Sequence, residues 1–344
     1  MKIAIVTGAS SGMGREFAMQ IEKKYQVDEI WVIARRKERL ESLKEILETK
    51  VKVLVLDLTQ KESFEILQEA LFKEKPRVKV LVNCSGYGKL NHYENMSIEV
   101  IENMMNLNML AVVKMVNSVL PYMHKKSSIV NLASCSGYMP IPYLNIYAST
   151  KAFVLSYSRA LNEELKYRQI HVLAICPYWV ETEFFDRAVV KDKKPVVIRY
   201  GKVYKAKDVI KKAIKDMESS KDVSLYGTIN RIQILGMKVL PHRLVKKIWM
   251  IYQELDGTKE IKSPLSGKVI SLSKIDDPVF AGGAMGNGIA IEPTDNKVYA
   301  PFDGTVEFIA ETKHAIGLKS DDGVELLIHV GMDTVKMNGK GFDV

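Results

Sequence analysis

Short apolar runs recur along the chain at Ile3–Val6, Ile30–Ile33, Val51–Leu56, Val78–Val82, Ile129–Leu132 and Val172–Ile175, with Val223–Tyr226 as a candidate last member. They are apolar at consecutive rather than alternate positions, the pattern of strands whose sheet is covered on both faces. Between them lie longer stretches with helical spacing, notably Glu38–Thr49, Lys61–Lys75, Ile98–Met123 and Tyr147–Arg168. Strict alternation of strand and helix predicts an α/β domain built on a doubly wound parallel sheet, with its ligand crevice at the carboxyl ends of the strands. Asp57, Asn83 and Ser134 all fall at such ends.

The pattern then changes. Leu240–Leu255 is a basic amphipathic segment, and beyond it short apolar runs are separated by Gly, Pro and Asp, as in all-β domains. The expected division is a first domain over residues 1–255 and a smaller all-β domain over 259–344. A length of 344 residues suits two domains, and 47% hydrophobic with 26% charged residues is enough for a sizeable core.

The net charge of +9 comes with interleaved acidic residues and no stripe of arginines and aromatics, so solvated lysines are expected and nucleic-acid binding is not. Three cysteines, Cys84, Cys135 and Cys176, are too few and too widely spaced for a disulfide framework or a zinc site. They read as buried free thiols in a reducing compartment. No apolar run approaches the roughly 20 residues that span a bilayer, and a cytoplasmic location is expected. In Leu240–Leu255, Arg243, Lys246 and Lys247 stand beside Leu244, Ile248, Trp249 and Ile251. Packing on the first domain or on a second subunit is expected there, rather than membrane contact.

Two patterns carry candidate chemistry. MKIAIVTGASSGMGREFAMQI reads as a strand, a Gly/Ser turn at Thr7–Gly14, and a helix with Phe17 and Ile21 on one face. Gly8, Gly12 and Gly14 would let the backbone approach a pyrophosphate at the helix N-terminus, although an ordinary strand-to-helix turn fits the pattern equally well. Tyr147 and Lys151 stand four apart in YASTK, thirteen residues after Ser134. On a helix they share a face, so the ammonium would favour the ionised phenol and fit it for proton exchange with an alcohol or carbonyl.

Residues 1 to about 250 resemble the short-chain dehydrogenase/reductase family. TGASSGMG matches its TGxxxGxG, NCSG at Asn83–Gly86 is a variant of its NNAG, and Asn108, Ser134, Tyr147 and Lys151 match its catalytic tetrad. Asp57 in LDLT lies where the family contacts adenine, and PYWVET at Pro177–Thr182 resembles its PGxxxT loop, with Tyr178 in place of Gly. The resemblance implies a Rossmann fold and hydride transfer between a nicotinamide cofactor and a carbonyl or secondary alcohol. By it, Tyr147 is the proton donor, Ser134 bonds the same oxygen, Lys151 lowers the Tyr147 pKa and holds the ribose, and Asn108 anchors a relay water. Cofactor contacts would come from Thr7, Gly8, Ser10, Gly12, Met13, Gly14, Asp57, Leu58, Asn83, Pro177, Val180 and Thr182, with Tyr147 and Lys151. No metal is required, and a homo-oligomer is implied.

Cofactor choice is argued from charge. The second strand ends in Arg35 and Arg36 where NAD-preferring relatives carry an acid, and guanidinium forks suit the 2′-phosphate of NADP(H). Arg15 could join them. Tyr178, Trp179, Phe184 and Phe185, with Tyr138, Met139, Ile141 and Tyr143, suggest an apolar substrate such as a steroid or acyl chain, unless half of them pack on the protein itself. The alternative is an NADP(H)-binding sensor or scaffold with little turnover.

His314 and His329 stand fifteen apart in alternating runs, where spacing alone favours two ordinary sheet histidines over a pair joined for phosphoryl chemistry or a zinc site. From about Lys259, SPLSGKV, DDPVFAGGAMGNGIAIEP, YAPFDGTV and ETKHAIGLKSDDGVELLIHVGMDTVKMNGKGF resemble the glucose-type IIA domain of the bacterial sugar phosphotransferase system. In that resemblance His329 matches the phosphorylated histidine, His314 matches its partner, and a phosphocarrier protein would be the donor. The match covers the first part of that domain, so a partial β-sandwich is expected.

Overall fold

A computed structural model describes residues 1–188, 196–255, 261–282, 286, 288–321 and 323–343. The chain divides into two compact units, Met1–Gly257 and Thr258–Val344. The first opens with β1 (Lys2–Thr7), α1 (Gly12–Lys24), β2 (Glu29–Ala34), α2 (Lys37–Glu41), β3 (Lys50–Val55), α3 (Lys61–Glu74) and β4 (Arg77–Asn83). It continues through α4 (Ile98–Met105), α5 (Ala111–Val119), β5 (Met123–Leu132), α6 (Asn145–Glu164), β6 (His171–Ile175), β7 (Val180–Glu181) and α7 (Phe184–Ala188). β8 (Tyr204–Lys205), α8 (Ala206–Glu218), β9 (Val223–Ser224), α9 (Thr228–Val239) and α10 (His242–Tyr252) complete it.

Seven strands form one parallel sheet in the order β3-β2-β1-β4-β5-β6-β9. Alternation along β1 divides the core. Ala4 and Val6 pack with Phe17 and Ile21 of α1 and Ile210 and Ile214 of α8, while Ile3 and Ile5 pack with Leu67 and Leu71 of α3 and Met115 and Val119 of α5. All of these are essentially buried, which is why the strands lack a polar face. The chain leaves β1 for β2 on one side and reaches β4 on the other, so the crevice of a doubly wound sheet opens at the end of β1.

Two expected helices differ in the structure. The Glu38–Thr49 pattern gives only α2, followed by turns that still bury Leu40, Leu43 and Leu47. The reason is local: the Arg39 carbonyl, which would accept the Leu43 amide, accepts instead from Arg15 Nη1 at 2.8 Å and Ser42 Oγ at 3.1 Å. The Leu43 amide turns to Leu40. The Ile98–Met123 pattern runs as α4, a π-helical segment Asn106–Leu110, α5 and a 3-10 turn over Leu120–Tyr122, and Met123 already begins β5. A π segment rotates the residues it contains relative to the flanking turns, and Asn108 lies inside it.

The second unit holds β10 (Gly267–Ser271), α11 (Pro278–Ala281), β11 (Ile289–Pro293), β12 (Gly304–Ile309), β13 (Ala315–Ser320) and β14 (Glu325–His329). β10 pairs with β11, and β12, β13 and β14 form a three-stranded sheet, all antiparallel. Among the described residues no helix is long and apolar enough to cross a membrane.

Candidate active site

Gly8 and Gly12 have φ of +68° and +54°, so the turn after β1 takes a left-handed path open to glycine. A Cβ on Gly8 would lie 2.9 Å from the Cys84 carbonyl carbon, and one on Gly14 would run into the Gly8 carbonyl. The turn is bare on the side where α1 begins, which fits the pyrophosphate of a dinucleotide. Thr7 holds it to the neighbouring strand, its Oγ1 accepting from the Cys84 and Ser85 amides at 3.0 and 3.2 Å.

At the carboxyl end of the sheet, Ser134, Tyr147 and Lys151 come together. Lys151 is 3% exposed and donates from Nζ to the Leu132 carbonyl at 2.7 Å. The same Nζ lies 5.6 Å from the centre of the Tyr147 ring. Burial drives the Lys151 ammonium down to about 8 from an ordinary value of 10.5. Burial likewise pushes the Tyr147 phenol above its usual range, and a hydrogen bond with Ser134 pulls the other way. The expected lowering of the phenol by Lys151 is therefore not the balance in this state: burial is the largest influence on both groups.

Asn108 is fully buried. Its Oδ1 accepts from the Tyr87 amide at 3.1 Å, and Nδ2 donates to the Tyr87 carbonyl at 2.9 Å and Thr150 Oγ1 at 3.1 Å. It thus fastens the loop after β4 to α6, rather than facing the cavity as an expected water anchor would.

These elements surround a cavity of about 780 Å³. One end is lined by Gly8, Ser10, Gly12, Met13 and Gly14, with Arg35, Arg36, Asp57 and Leu58. Ser134, Tyr147, Lys151, Pro177, Val180 and Thr182 line it further on. Thr7 and Asn83 do not reach it. Asn83 Nδ2 donates to Asn131 Oδ1 at 2.9 Å, so both residues, expected as cofactor contacts, brace the strands and loops beneath the site. Of the expected aromatic and aliphatic wall, Met139, Ile141, Tyr178, Trp179 and Phe184 line the cavity. Tyr138, Tyr143 and Phe185 do not: Tyr138 packs in the core beside α6, Tyr143 against His92, and Phe185 against Trp179 and Tyr200.

The anion end is richly paired. Arg36 Nη2 donates to Ser11 Oγ at 2.8 Å and Ser10 Oγ at 3.1 Å, and Arg35 Nη1 lies 3.5 Å from Asp57 Oδ2. Burial works against the charge on Asp57, but its hydrogen bonds from the Thr59 amide and hydroxyl, with Arg35 beside it, hold the carboxyl below the usual range. Arg15 lies outside the cavity, bonded to the Arg39 carbonyl and Ser42 Oγ.

Sequence reasoning missed two features. Glu183 lines the cavity and pairs with Arg36 at 2.8 Å, with Arg39, and with Arg187 at 3.7 Å. Its one sequence signal is an acid directly before the Phe184–Phe185 pair, with Glu181 and Asp186 close by. The other is the wall supplied by α9 and α10, including Ile229, Met237, Val245, Ile248 and Trp249. α10 is pinned by Trp249 Nε1 donating to the Pro142 carbonyl at 3.2 Å and by buried Gln253, whose Oε1 accepts from the Ile198 and Arg199 amides.

In the second unit, register pairs Ala315 with His329, and the His314 and His329 rings lie edge to face with centres 4.9 Å apart. His314 Nδ1 is 2.5 Å from Thr312 Oγ1, and Phe280 packs on His329 at 4.8 Å. Burial, then the neighbouring His314, lowers the His329 pKa, which favours a neutral ring with a free lone pair.

Residues 2–193 match the family model for the short chain dehydrogenase, and residues 259–344 match that for the phosphoenolpyruvate-dependent sugar phosphotransferase system, EIIA 1. A short-chain dehydrogenase from Sphingobium yanoikuyae, solved in complex with NADPH, is 26% identical with a TM-score of 0.58, covering 69% of this chain and 93% of that one. The 3-ketoacyl-(acyl-carrier-protein) reductase from Brucella melitensis, complexed with NADH, is 24% identical with a TM-score of 0.54, covering 62% and 89%, and shares the fold. A PTS system glucose-specific EIICBA component from Staphylococcus saprophyticus is 53% identical over 94 residues. Those residues are 27% of this chain and span only 14% of that relative's length.

Proposed function

This chain belongs to the short chain dehydrogenase family, with a sugar phosphotransferase EIIA domain behind it, and from that premise we propose an NADP(H)-dependent reductase of an apolar ketone, or dehydrogenase of the matching secondary alcohol. The observation that carries the reading is one cavity with a glycine turn and two arginines at one end, Ser134, Tyr147 and Lys151 further along, and apolar side chains beyond them. When bound, the nicotinamide supplies or accepts the hydride.

Tyr147 gives its phenolic proton to the substrate oxygen in reduction, and Ser134 donates a hydrogen bond to the same oxygen. Lys151, cationic below about pH 8, stabilises the phenolate left behind and bonds the nicotinamide ribose. Asn108 is a positioning residue, holding Tyr87 and Thr150 and so the relation of the β4 loop to α6. Arg35 and Arg36 bind the 2′-phosphate. Met139, Ile141, Trp179 and Phe184 exclude water and favour an acyl chain or a steroid-like ring system over a sugar.

The edge-to-face histidine pair supports a second activity, in which His329 accepts a phosphoryl group from a phosphocarrier protein and His314 steadies it. We read the chain as a cytoplasmic protein. Purified full-length chain incubated with a panel of ketones and alcohols, with each of NADPH, NADP⁺, NADH and NAD⁺, tests the main reading. Turnover of an apolar substrate with the phosphorylated cofactor is expected, whereas cofactor binding without turnover of any substrate would favour a sensor or scaffold.

A further inference from the structure

The two helices that wall the cavity each carry an exposed aliphatic stripe. Ile232, Leu235 and Val239 of α9 follow one another at helical spacing, as do Leu244, Ile248 and Ile251 of α10. These six are between 44% and 75% exposed. The buried sides are committed elsewhere: Ile234 and Val245 are buried, Asn230 Nδ2 bonds the Tyr226 carbonyl at 2.7 Å, and Trp249 bonds the Pro142 carbonyl. The exposed aliphatic stripes are therefore not required to hold the helices in place.

The charge of the same segment is one-sided. From Val223 to Gln253 the sequence holds no Asp or Glu, but it has Arg231, Lys238, Arg243, Lys246 and Lys247. Elsewhere in this unit acids and bases are interleaved and paired, as in Lys61–Glu65 and Lys166–Glu163. Among the described residues none of these five cations has an acidic partner. Arg231 reaches the Leu225 carbonyl and Lys238 lies over the Tyr138 ring.

We propose that α9 and α10 dock this face on an anionic phospholipid surface. Aliphatic stripes flanked by lysines and arginines that have no acidic partner among the described residues suit the boundary between acyl chains and negative headgroups, with the lysine stems lying along apolar surface and their ammonium groups in the headgroup layer. A second copy of the chain is a poor occupant, because a two-fold contact would set these cations against themselves. A protein interface core is moreover depleted in lysine. Ile248 belongs both to this face and to the cavity wall, so the apolar end of the cavity meets the surface that would touch lipid.

The test uses the full chain and sedimentation with vesicles. Vesicles of phosphatidylglycerol mixed equally with phosphatidylcholine should pellet the protein, phosphatidylcholine alone should not, and added salt should weaken binding. Ile232→Gln with Ile251→Gln, two exposed changes outside the cavity, should weaken binding at least ten-fold without altering the melting temperature or cofactor binding. Lys246→Gln with Lys247→Gln should weaken it several-fold and flatten the salt dependence. Failure to pellet with the anionic vesicles overturns the proposal, as does equal pelleting of the Ile232→Gln, Ile251→Gln variant. A solution oligomer that this variant breaks into monomers also overturns it, and assigns the face to a second copy.

Discussion

Glu183 Oε2 stands 2.8 Å from Arg36 Nη1, and the next residue, Phe184, packs its ring on Tyr147 with centres 5.4 Å apart. Neighbouring residues of one short segment thus touch Arg36 at one end of the cavity and the Tyr147 ring further along it. With Arg36 and Arg39 both engaged by Glu183, the 2′-phosphate proposed to bind Arg36 would compete with a carboxylate already in place.

Glu183→Gln removes that competition while keeping the side chain's size. The dissociation constant for NADPH is expected to fall two- to five-fold, the range set by about 0.5–1 kcal/mol for a partly exposed ion pair, with that for NADH unchanged. Fluorescence titration with both nucleotides measures this; weaker NADPH binding in the variant would contradict it.

Arg35→Asp removes one of the proposed phosphate partners and adds a repelling charge beside Asp57. The Michaelis constant for NADPH should rise ten-fold or more while use of NADH improves. A wild-type chain that prefers NADH would show the cofactor assignment to be wrong.

Tyr147→Phe keeps the ring that packs on Phe184 and deletes the proton donor. Turnover should fall by about 10²–10⁴, the usual weight of a positioned acid, with cofactor affinity little changed. Retention of most of the wild-type rate would remove Tyr147 from the mechanism.

Lys151→Met tests the burial of a charge. In the folded chain Lys151 loses its proton near 8, against an ordinary 10.5, so between these values the unfolded chain binds more protons and this group's contribution to stability rises with pH. Below about pH 8 the buried ammonium costs stability in full. The variant should therefore be inactive yet more stable at pH 7, by roughly 1–3 kcal/mol, and its advantage should shrink as pH climbs from 8 toward 10.5. Thermal melts across that range decide it; an advantage that does not change with pH would point to packing instead.

His329→Ala should abolish phosphoryl transfer to the chain from labelled phosphoenolpyruvate and the general phosphotransferase proteins, and His314→Ala should reduce it. Undiminished label in His329→Ala would exclude that histidine as the acceptor.

Much of this protein follows from its sequence. Continuous apolar runs specify strands buried on both faces, because each residue must then bury a side chain whichever way it points, and the seven-stranded sheet follows from their alternation with helices. The glycine turn is legible for a similar reason, since the positive φ of Gly8 and Gly12 leaves little other choice of residue. YASTK places Tyr147 and Lys151 on one face because helical geometry is local. The tertiary structure decided what depends on residues far apart in the chain. Arg15, from the first helix, takes the carbonyl that α2 would need to continue. Glu183 neutralises arginines that the sequence shows as free, and α9 with α10 supplies a cavity wall that their own pattern shows only as amphipathic. Desolvation, which raises the Tyr147 phenol and lowers the Lys151 ammonium, is the sum of everything packed around them and has no signature in their spacing.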